Sequence, residues 1–333
     1  LWLLVFYIAT VIFFLVMIAL IVTLVKFRRR PDEDRHPVQL HGNTALEITW
    51  TIIPAVILAV IAVPTVRGVF ELREPPQDDN VLNIKVTGHQ WWWEFEYADY
   101  TNDAGEPLIT ANELHLPVGV EAYFTMTSAD VIHSFWIPPL NGKRDVVPGR
   151  ITALTMEPLY VTPPDEPILG QCAEFCGLAH ADMRMRVFVD TQEDFDDWVA
   201  AQAAAAPVPT EGAALAGWET FNAVCTACHQ ATVVEAGAVE TVGPVVVIEA
   251  EGETFVSSLG PNLTHFGSRT TFGGASFDNT EEHVAAWLHN PVDLKPMDPD
   301  RNDIAAGRIF GMPNFNLSDE DIAGLVALLE LWE

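Results

Sequence analysis

Residues 170–183, GQCAEFCGLAHADM, decide how this chain is read: Cys172, Cys176, His180 and Met183 stand four, four and three positions apart. Thiolate, imidazole and thioether together select soft metals, and the thioether leans toward copper. The same spacing would stripe one face of a helix, and two cysteines outside the cytoplasm can close a disulfide. However, Gly170 and Gly177 break a helix, and residues 151–156 and 185–189 read as strands, so the stretch is expected to be a metal-binding loop between strands.

A two-thiolate pair needs a second imidazole. His133, in SADVIHSFWIPP, lies 39 residues before Cys172 and just after a strand-like run, and is the candidate, with His115 and His89 as rivals. Around this site the pattern is one of short runs (81–86, 91–97, 120–126, 151–156) punctuated by Gly and Pro, which predicts an all-β sandwich or barrel of about 110 residues. Trp91, Trp92 and Trp93 follow His89 and Gln90. Since pleat alternation sends one face inward, three in a row are not expected all to be core.

Upstream, residues 1–25 carry no charge and exceed the ~20 residues that cross a bilayer. No basic segment precedes the run and no small-residue cleavage site follows it, which favours a span over a signal peptide. Lys26, Arg28, Arg29, Arg30 and Arg35 should stay in the cytoplasm. Residues 45–66, with Pro54 and Pro64, form a second apolar span. Residues 1–74 thus read as a transmembrane hairpin, a polar joint follows at 75–80, and the rest lies on the outer face. Glu47, in the first turn of the second span, is either an interfacial carboxylate or part of a proton route.

Downstream, 200–214, AAQAAAAPVPTEGAA, reads as an Ala/Pro-rich linker dividing a domain at 75–199 from one at 215–333. In the latter, 215–224, 281–289 and 319–332 place apolar residues at helical spacing, and Ser318 with Asp321 forms a capping-box-like start, so a small all-α domain is expected. Cys225-Thr-Ala-Cys228-His229 is the attachment signature of a c-type haem, with two thioethers and His229 on the iron. A redox-active Cys pair would need a βαβ context that the pattern lacks. Met312 is preferred over Met297 as second axial ligand, because nearby prolines and the helix after Ser318 put it on a loop closing over a haem edge. Residues 260–263, GPNL, are expected beneath the haem, where a backbone carbonyl orients His229.

The chain carries 46 acidic against 17 basic residues, a net charge of −29, with a mean hydropathy of +0.19. The imbalance falls beyond residue 74, which argues against nucleic-acid binding and fits either basic partners or a high-salt habitat. The four cysteines form two close pairs, leaving none for a structural disulfide.

Assembled, these parts resemble subunit II of haem-copper cytochrome c oxidases, in the caa-type variety with a fused C-terminal cytochrome c. The specific part is C-x-E-x-C-x-x-x-H-x-x-M with the upstream His, that family's binuclear copper A pattern. The resemblance implies a cupredoxin-like Greek-key barrel and a class I cytochrome c domain behind the membrane hairpin. It implies that Cys172 and Cys176 bridge two coppers, that His133 and His180 each ligate one, and that Met183 and the Glu174 carbonyl add weak bonds. The Glu174 side chain would reach a magnesium shared with subunit I. Trp91 would be where electrons enter, Glu47 would lie at the mouth of a proton channel in subunit I, and Glu96, Asp99 and Asp130 would dock cytochrome c. Electrons from a soluble cytochrome or a bc-type complex would pass through haem c and copper A to subunit I in a bacterial cell membrane, where oxygen is reduced and protons are pumped. A copper A nitric oxide reductase subunit and a membrane-anchored redox or metal-binding protein are the alternatives. Two departures stand out: 30 residues separate His229 from Gly260, so 231–258 is expected to be an extra hairpin or surface loop, and an insertion separates Met297 from Met312.

Overall fold

A computed structural model describes residues 1–28, 39, 41–71, 75–76, 80–140, 142–299 and 311–333. Arg29, Arg30 and Arg35, and most of the insertion between Met297 and Met312, lie outside them. Residues 1–72 form one compact unit and 73–333 another.

In the first unit, α1 (Trp2–Lys26) and α2 (Thr44–Glu71) are long enough and apolar enough to cross a membrane. Neither buries a residue, so their apolar side chains form surface that lipid suits and water does not. Asn43 starts α2: its Oδ1 accepts from the N–H groups of Ala45 (3.1 Å) and Leu46 (3.2 Å), and the Asn43 N–H donates to Glu47 Oε1 at 3.3 Å.

The second unit begins as a sandwich of two five-stranded sheets. One runs β3-β2-β1-β5-β8, from β1 (Val81–His89), β2 (Trp92–Thr101), β3 (Pro107–Ala111), β5 (Glu121–Ser128) and β8 (Thr152–Met156). The other runs β4-β10-β9-β6-β7, from β4 (Glu113–Pro117), β6 (His133–Trp136), β7 (Lys143–Val146), β9 (Ile168–Cys172) and β10 (Arg184–Asp190). β1 pairs parallel with β5, and β4 with β10, while the other pairs are antiparallel. Trp93, Phe95, Phe124 and Phe135 fill the space between the sheets with edge and tilted ring contacts, and the non-consecutive strand order is that of the expected Greek-key barrel. His133 follows β5, as expected, and opens β6.

Residues 200–214 differ from the linker expected of their composition. Residues 200–203 complete α3 (Gln192–Ala203), whose Phe195 and Trp198 pack on Tyr97. β11 (Ala206–Pro207) pairs with β12 (Ala231–Glu235), and α4 (Gly212–Val224) starts at Gly212. Alanine is the strongest helix former, so the Ala run extends α3, while the edge of β12 takes up the backbone that follows.

The C-terminal domain is helical around α4, α5 (Glu281–His289), α6 (Pro291–Leu294) and α7 (Asp319–Leu331), and the Ser318/Asp321 capping box is formed. Trp218, Phe221, Leu325, Leu328 and Trp332 make its core. The expected extra hairpin is two: β12 with β13 (Ala238–Val242), and β14 (Val246–Ala250) with β15 (Glu253–Ser257). A short pair, β16 (Thr271–Phe272) and β17 (Phe277–Asp278), follows.

This domain is clamped on the barrel. Glu113, at the start of β4, accepts through Oε1 from the backbone N–H and hydroxyl groups of Thr270 and of Thr271 at 2.5–3.1 Å. Lys85 Nζ donates to the Thr254 carbonyl at 2.9 Å, and Ser257 Oγ lies 3.2 Å from His89 Nε2. The docking overturns the expectation for the tryptophans. Trp93 faces the sandwich core, while Trp91 and Trp92 lie under the second domain, so all three are buried. Pleat alternation governs one sheet and is silent about a second body placed on its outer face.

Candidate functional site

Cys172 ends β9, and the chain then turns through Cys176 and a short 3₁₀ turn, His180–Asp182, before β10. Sγ of Cys172 and Sγ of Cys176 are 3.7 Å apart, well beyond the ~2.05 Å of a disulfide. His133 Nδ1 lies 3.9 Å from Cys172 Sγ, His180 Nδ1 lies 3.5 Å from Cys176 Sγ, and Met183 Sδ lies 3.8 Å from Cys176 Sγ. The Glu174 carbonyl is 3.2 Å from Cys172 Sγ. All six expected ligands therefore converge on a buried thiol pair, two sulfurs at a separation that metals can bridge with one imidazole on each side.

The two sulfurs share a proton unequally. Cys172 is drawn far below the thiol range by its hydrogen bond with Cys176, and Cys176 is pushed far above it by the same contact and by burial. Asp130 Oδ1 lies 2.8 Å from His133 Nε2, and its other oxygen accepts from the Gln90 N–H at 2.6 Å. Burial pushes the Asp130 carboxyl up, but the His133 ring more than reverses this and leaves it below its ordinary value. The carboxylate thereby holds the ring of His133, while its side chain keeps 24% exposure. The docking role expected of Glu96 is corrected. It is 6% exposed, paired with Lys85 at 3.3 Å beneath the β14–β15 hairpin that the sequence departure announced, and burial raises its pKa. Asp99 is exposed and accepts from the Asn83 N–H at 3.0 Å.

The rival imidazoles are engaged elsewhere. His89 stacks on Trp92 with ring centroids 4.1 Å apart, and His115 lies between Phe188 and Trp198 with Nδ1 2.7 Å from Asp190. Glu47 spends its carboxylate at the start of α2. The Glu174 side chain is exposed and accepts from the Phe175 N–H at 3.2 Å.

Cys225 and Cys228 occupy a turn at the end of α4, where the N–H groups of Cys228 and His229 both donate to the Cys225 carbonyl. His229 Nδ1 lies 2.8 Å from the Pro261 carbonyl, which fixes the proton there and leaves Nε2 free to ligate, as expected for 260–263. Burial lowers the His229 pKa, favouring the neutral, ligating ring. Burial also pushes the Cys225 thiol up to about 12.

These residues open on a cavity whose walls are mainly apolar, as the walls of cofactor sites are. Met312 and Met297 both line it, with the Trp287 indole N–H 3.1 Å from Met312 Sδ. Arg269 supplies a cationic group, brought down to about 10 by burial, and Lys295 lines the same cavity, pushed down to about 7 by burial while the three carbonyls around its Nζ favour the protonated form. On the far wall stands Trp91, 4% exposed, whose Nε1 donates to the Cys176 carbonyl at 2.9 Å. Pattern reading missed Lys295, Arg269 and Glu113. The available hint was Lys295 itself, one of four lysines in an acidic chain, two positions before a candidate ligand.

Comparison with known proteins agrees with this geometry. Residues 2–67 match the transmembrane domain of cytochrome C oxidase subunit II, 82–190 match its periplasmic domain, and 214–332 match cytochrome c. Cytochrome c oxidase subunit 2 of Alkalihalophilus pseudofirmus is 36% identical over 316 residues, covering 92% of this chain and 79% of that protein. The subunit of the same name from Bacillus sp. strain PS3 is 34% identical, covering 81% and 72%. A quinol oxidase subunit 2 from Bacillus cereus is 32% identical but covers 62% of this chain. Matched along nearly its whole length, the chain belongs to the cytochrome c oxidase subunit II family and is a subunit of a haem-copper oxidase.

Proposed function

We propose that this subunit receives electrons at its own haem domain and delivers them through the thiolate site to subunit I, for reduction of oxygen with proton pumping. The observation that carries the reading is the position of Trp91, whose ring walls the Cys225–Cys228–His229 cavity and whose N–H bonds the carbonyl of Cys176. The donor set fits these groups: His133, Cys172, Cys176, His180, Met183 and the Glu174 carbonyl would hold two coppers, and Cys225, Cys228 and His229 would hold a covalent haem, with Met312 as its further ligand. When bound, these groups supply one-electron redox chemistry. The protein's part is to bury the site, hold His133 through Asp130 and His229 through Pro261, and keep water from the junction.

Trp91 is too buried for a soluble cytochrome to touch, which supports a donor, cytochrome c or a bc-type complex, that docks on the haem domain instead. The exposed Asp99, on β2 of the barrel, is left available to a donor whose footprint also reaches the barrel. Phe175 and Leu178 stand exposed on the thiolate loop, a surface suited to burial against subunit I, and the exposed Glu174 carboxylate suits a magnesium there. Glu47 is proposed to face the channel mouth in subunit I, and α1 and α2 to anchor the chain with both soluble domains outside.

Metal and haem analysis with paramagnetic resonance on the detergent-solubilised complex tests this. Two coppers with a delocalised signal and one covalent haem per chain are expected, and a single copper or a zinc would sink the assignment. Turnover with oxygen, and not with nitric oxide, separates an oxidase from a nitric oxide reductase.

A further inference from the structure

Lys295 is 3% exposed, and its ammonium donates to three backbone carbonyls: Trp91 at 3.0 Å, Asp182 at 2.9 Å and Gly273 at 2.7 Å. These come from three parts of the machinery. Trp91 is the wall shared by the haem cavity and the thiolate loop, Asp182 immediately precedes Met183, and Gly273 lines the haem cavity from the second domain. An ammonium has three donors, so its capacity is filled.

The chain closes tightly about this point. Gly274 has φ 78°, and a Cβ there would stand 2.5 Å from the Asp182 carbonyl, 2.6 Å from Lys295 Nζ and 2.8 Å from the Trp91 carbonyl. Its own carbonyl accepts from the Arg184 N–H at 2.9 Å, and Ser276 Oγ donates to the Asp182 carbonyl at 3.0 Å. Burying a cation costs solvation free energy that an apolar residue would avoid. What an apolar residue cannot do is hold three carbonyl oxygens, whose negative ends repel one another, around a single centre.

We infer that Lys295 is a positioning residue for electron transfer, tying the haem cavity, the Trp91 bridge and the thiolate loop to one ammonium so that their spacing is fixed. The inference rests on the proposed passage of electrons from haem to copper. Such transfer weakens steeply with distance, so a loosened junction is read as a slower rate.

The test uses the detergent-solubilised oxidase. Lys295→Met keeps the stem and removes the donors, and Lys295→Arg keeps the charge on a planar fork that does not match three converging carbonyls. Both variants should slow reduction of copper after rapid reduction of the haem by about tenfold or more. The low-spin haem spectrum and the two-copper resonance signal should stay unchanged, and so should both reduction potentials in Lys295→Arg and Gly274→Ala, which keep the charge. Gly274→Ala, which crowds the same atoms and leaves the charge, should give the same result and carries the test if the lysine variants do not assemble. Parent-like rates in these variants would overturn the inference, as would full restoration by Arg, which would assign the effect to charge. A parent protein without the copper pair or the haem would instead sink the functional reading.

Discussion

The indole N–H of Trp91 donates to the Cys176 carbonyl across 2.9 Å, while the same ring forms part of the haem cavity wall. Trp91→Phe keeps an aromatic ring and deletes the donor. It should slow haem-to-copper transfer while the copper signal persists, because the Gln90 side chain still donates to the same carbonyl at 2.6 Å. Flash-induced kinetics measure it, and an unchanged rate would remove Trp91 from the route.

Asp130 meets the His133 ring at 2.8 Å, and such outer partners typically govern metal affinity by about 10–100-fold. Asp130→Asn should lose copper to a chelator more readily by a factor of that order. If the carboxylate served docking instead, copper retention would hold and the salt dependence of donor oxidation would change.

Much of the thiolate cluster was legible because its side chains lie close in sequence: Cys172, Cys176, His180 and Met183 share one loop, and His133 was the nearest upstream imidazole after a strand. The haem attachment was legible for the same reason. What stayed hidden depends on one domain touching another. Glu96 looks like a surface carboxylate until the β14–β15 hairpin covers it. Two of the three carbonyls held by Lys295 lie 113 and 204 residues away, and the backbone donors to Glu113 lie 157 and 158 residues away, separations that no local spacing records.

Met312 and Met297 line one cavity, so their roles separate by spectrum. Met312→Ala should abolish the low-spin Met-ligated haem spectrum, and Met297→Ala, which empties a buried site beside Gly311, should preserve it at a stability cost of about 2–5 kcal/mol. The reverse pattern would transfer axial ligation to Met297.

Glu96 makes stability depend on pH in a definite sense. Burial, only partly offset by Lys85, raises its pKa above the ordinary 4.5, so the folded chain holds this proton more tightly than the unfolded one. The resulting stabilisation is full below 4.5 and is lost as pH rises through the folded value. In Glu96→Gln this loss disappears. Unfolding temperatures of parent and variant from about pH 4 to about pH 8, the span of carboxylate titration, should therefore diverge in the variant's favour as pH rises and then run parallel. A difference independent of pH would show that Glu96 titrates as it does in water.

Glu113 carries the last prediction, because its Oε1 takes up four donors from Thr270 and Thr271 of the other domain. Glu113→Ala strands the buried backbone N–H of Thr271, and an unsatisfied buried group costs about 1–3 kcal/mol, while the N–H of the more exposed Thr270 can turn to water. Glu113→Gln keeps an acceptor oxygen for the same donors but removes the charge, which weakens each bond. Both variants should keep haem and copper, since none of the four contacts is a ligand, yet Ala should lower the unfolding temperature more than Gln. The β16–β17 segment carries Thr271, Gly273 and Gly274, so loosening it frees Lys295 from one of its three carbonyls. Haem-to-copper transfer should therefore slow in the same order, Ala more than Gln, and a stability loss without any change in rate would mean that the Glu113 clamp and the electron route are mechanically independent.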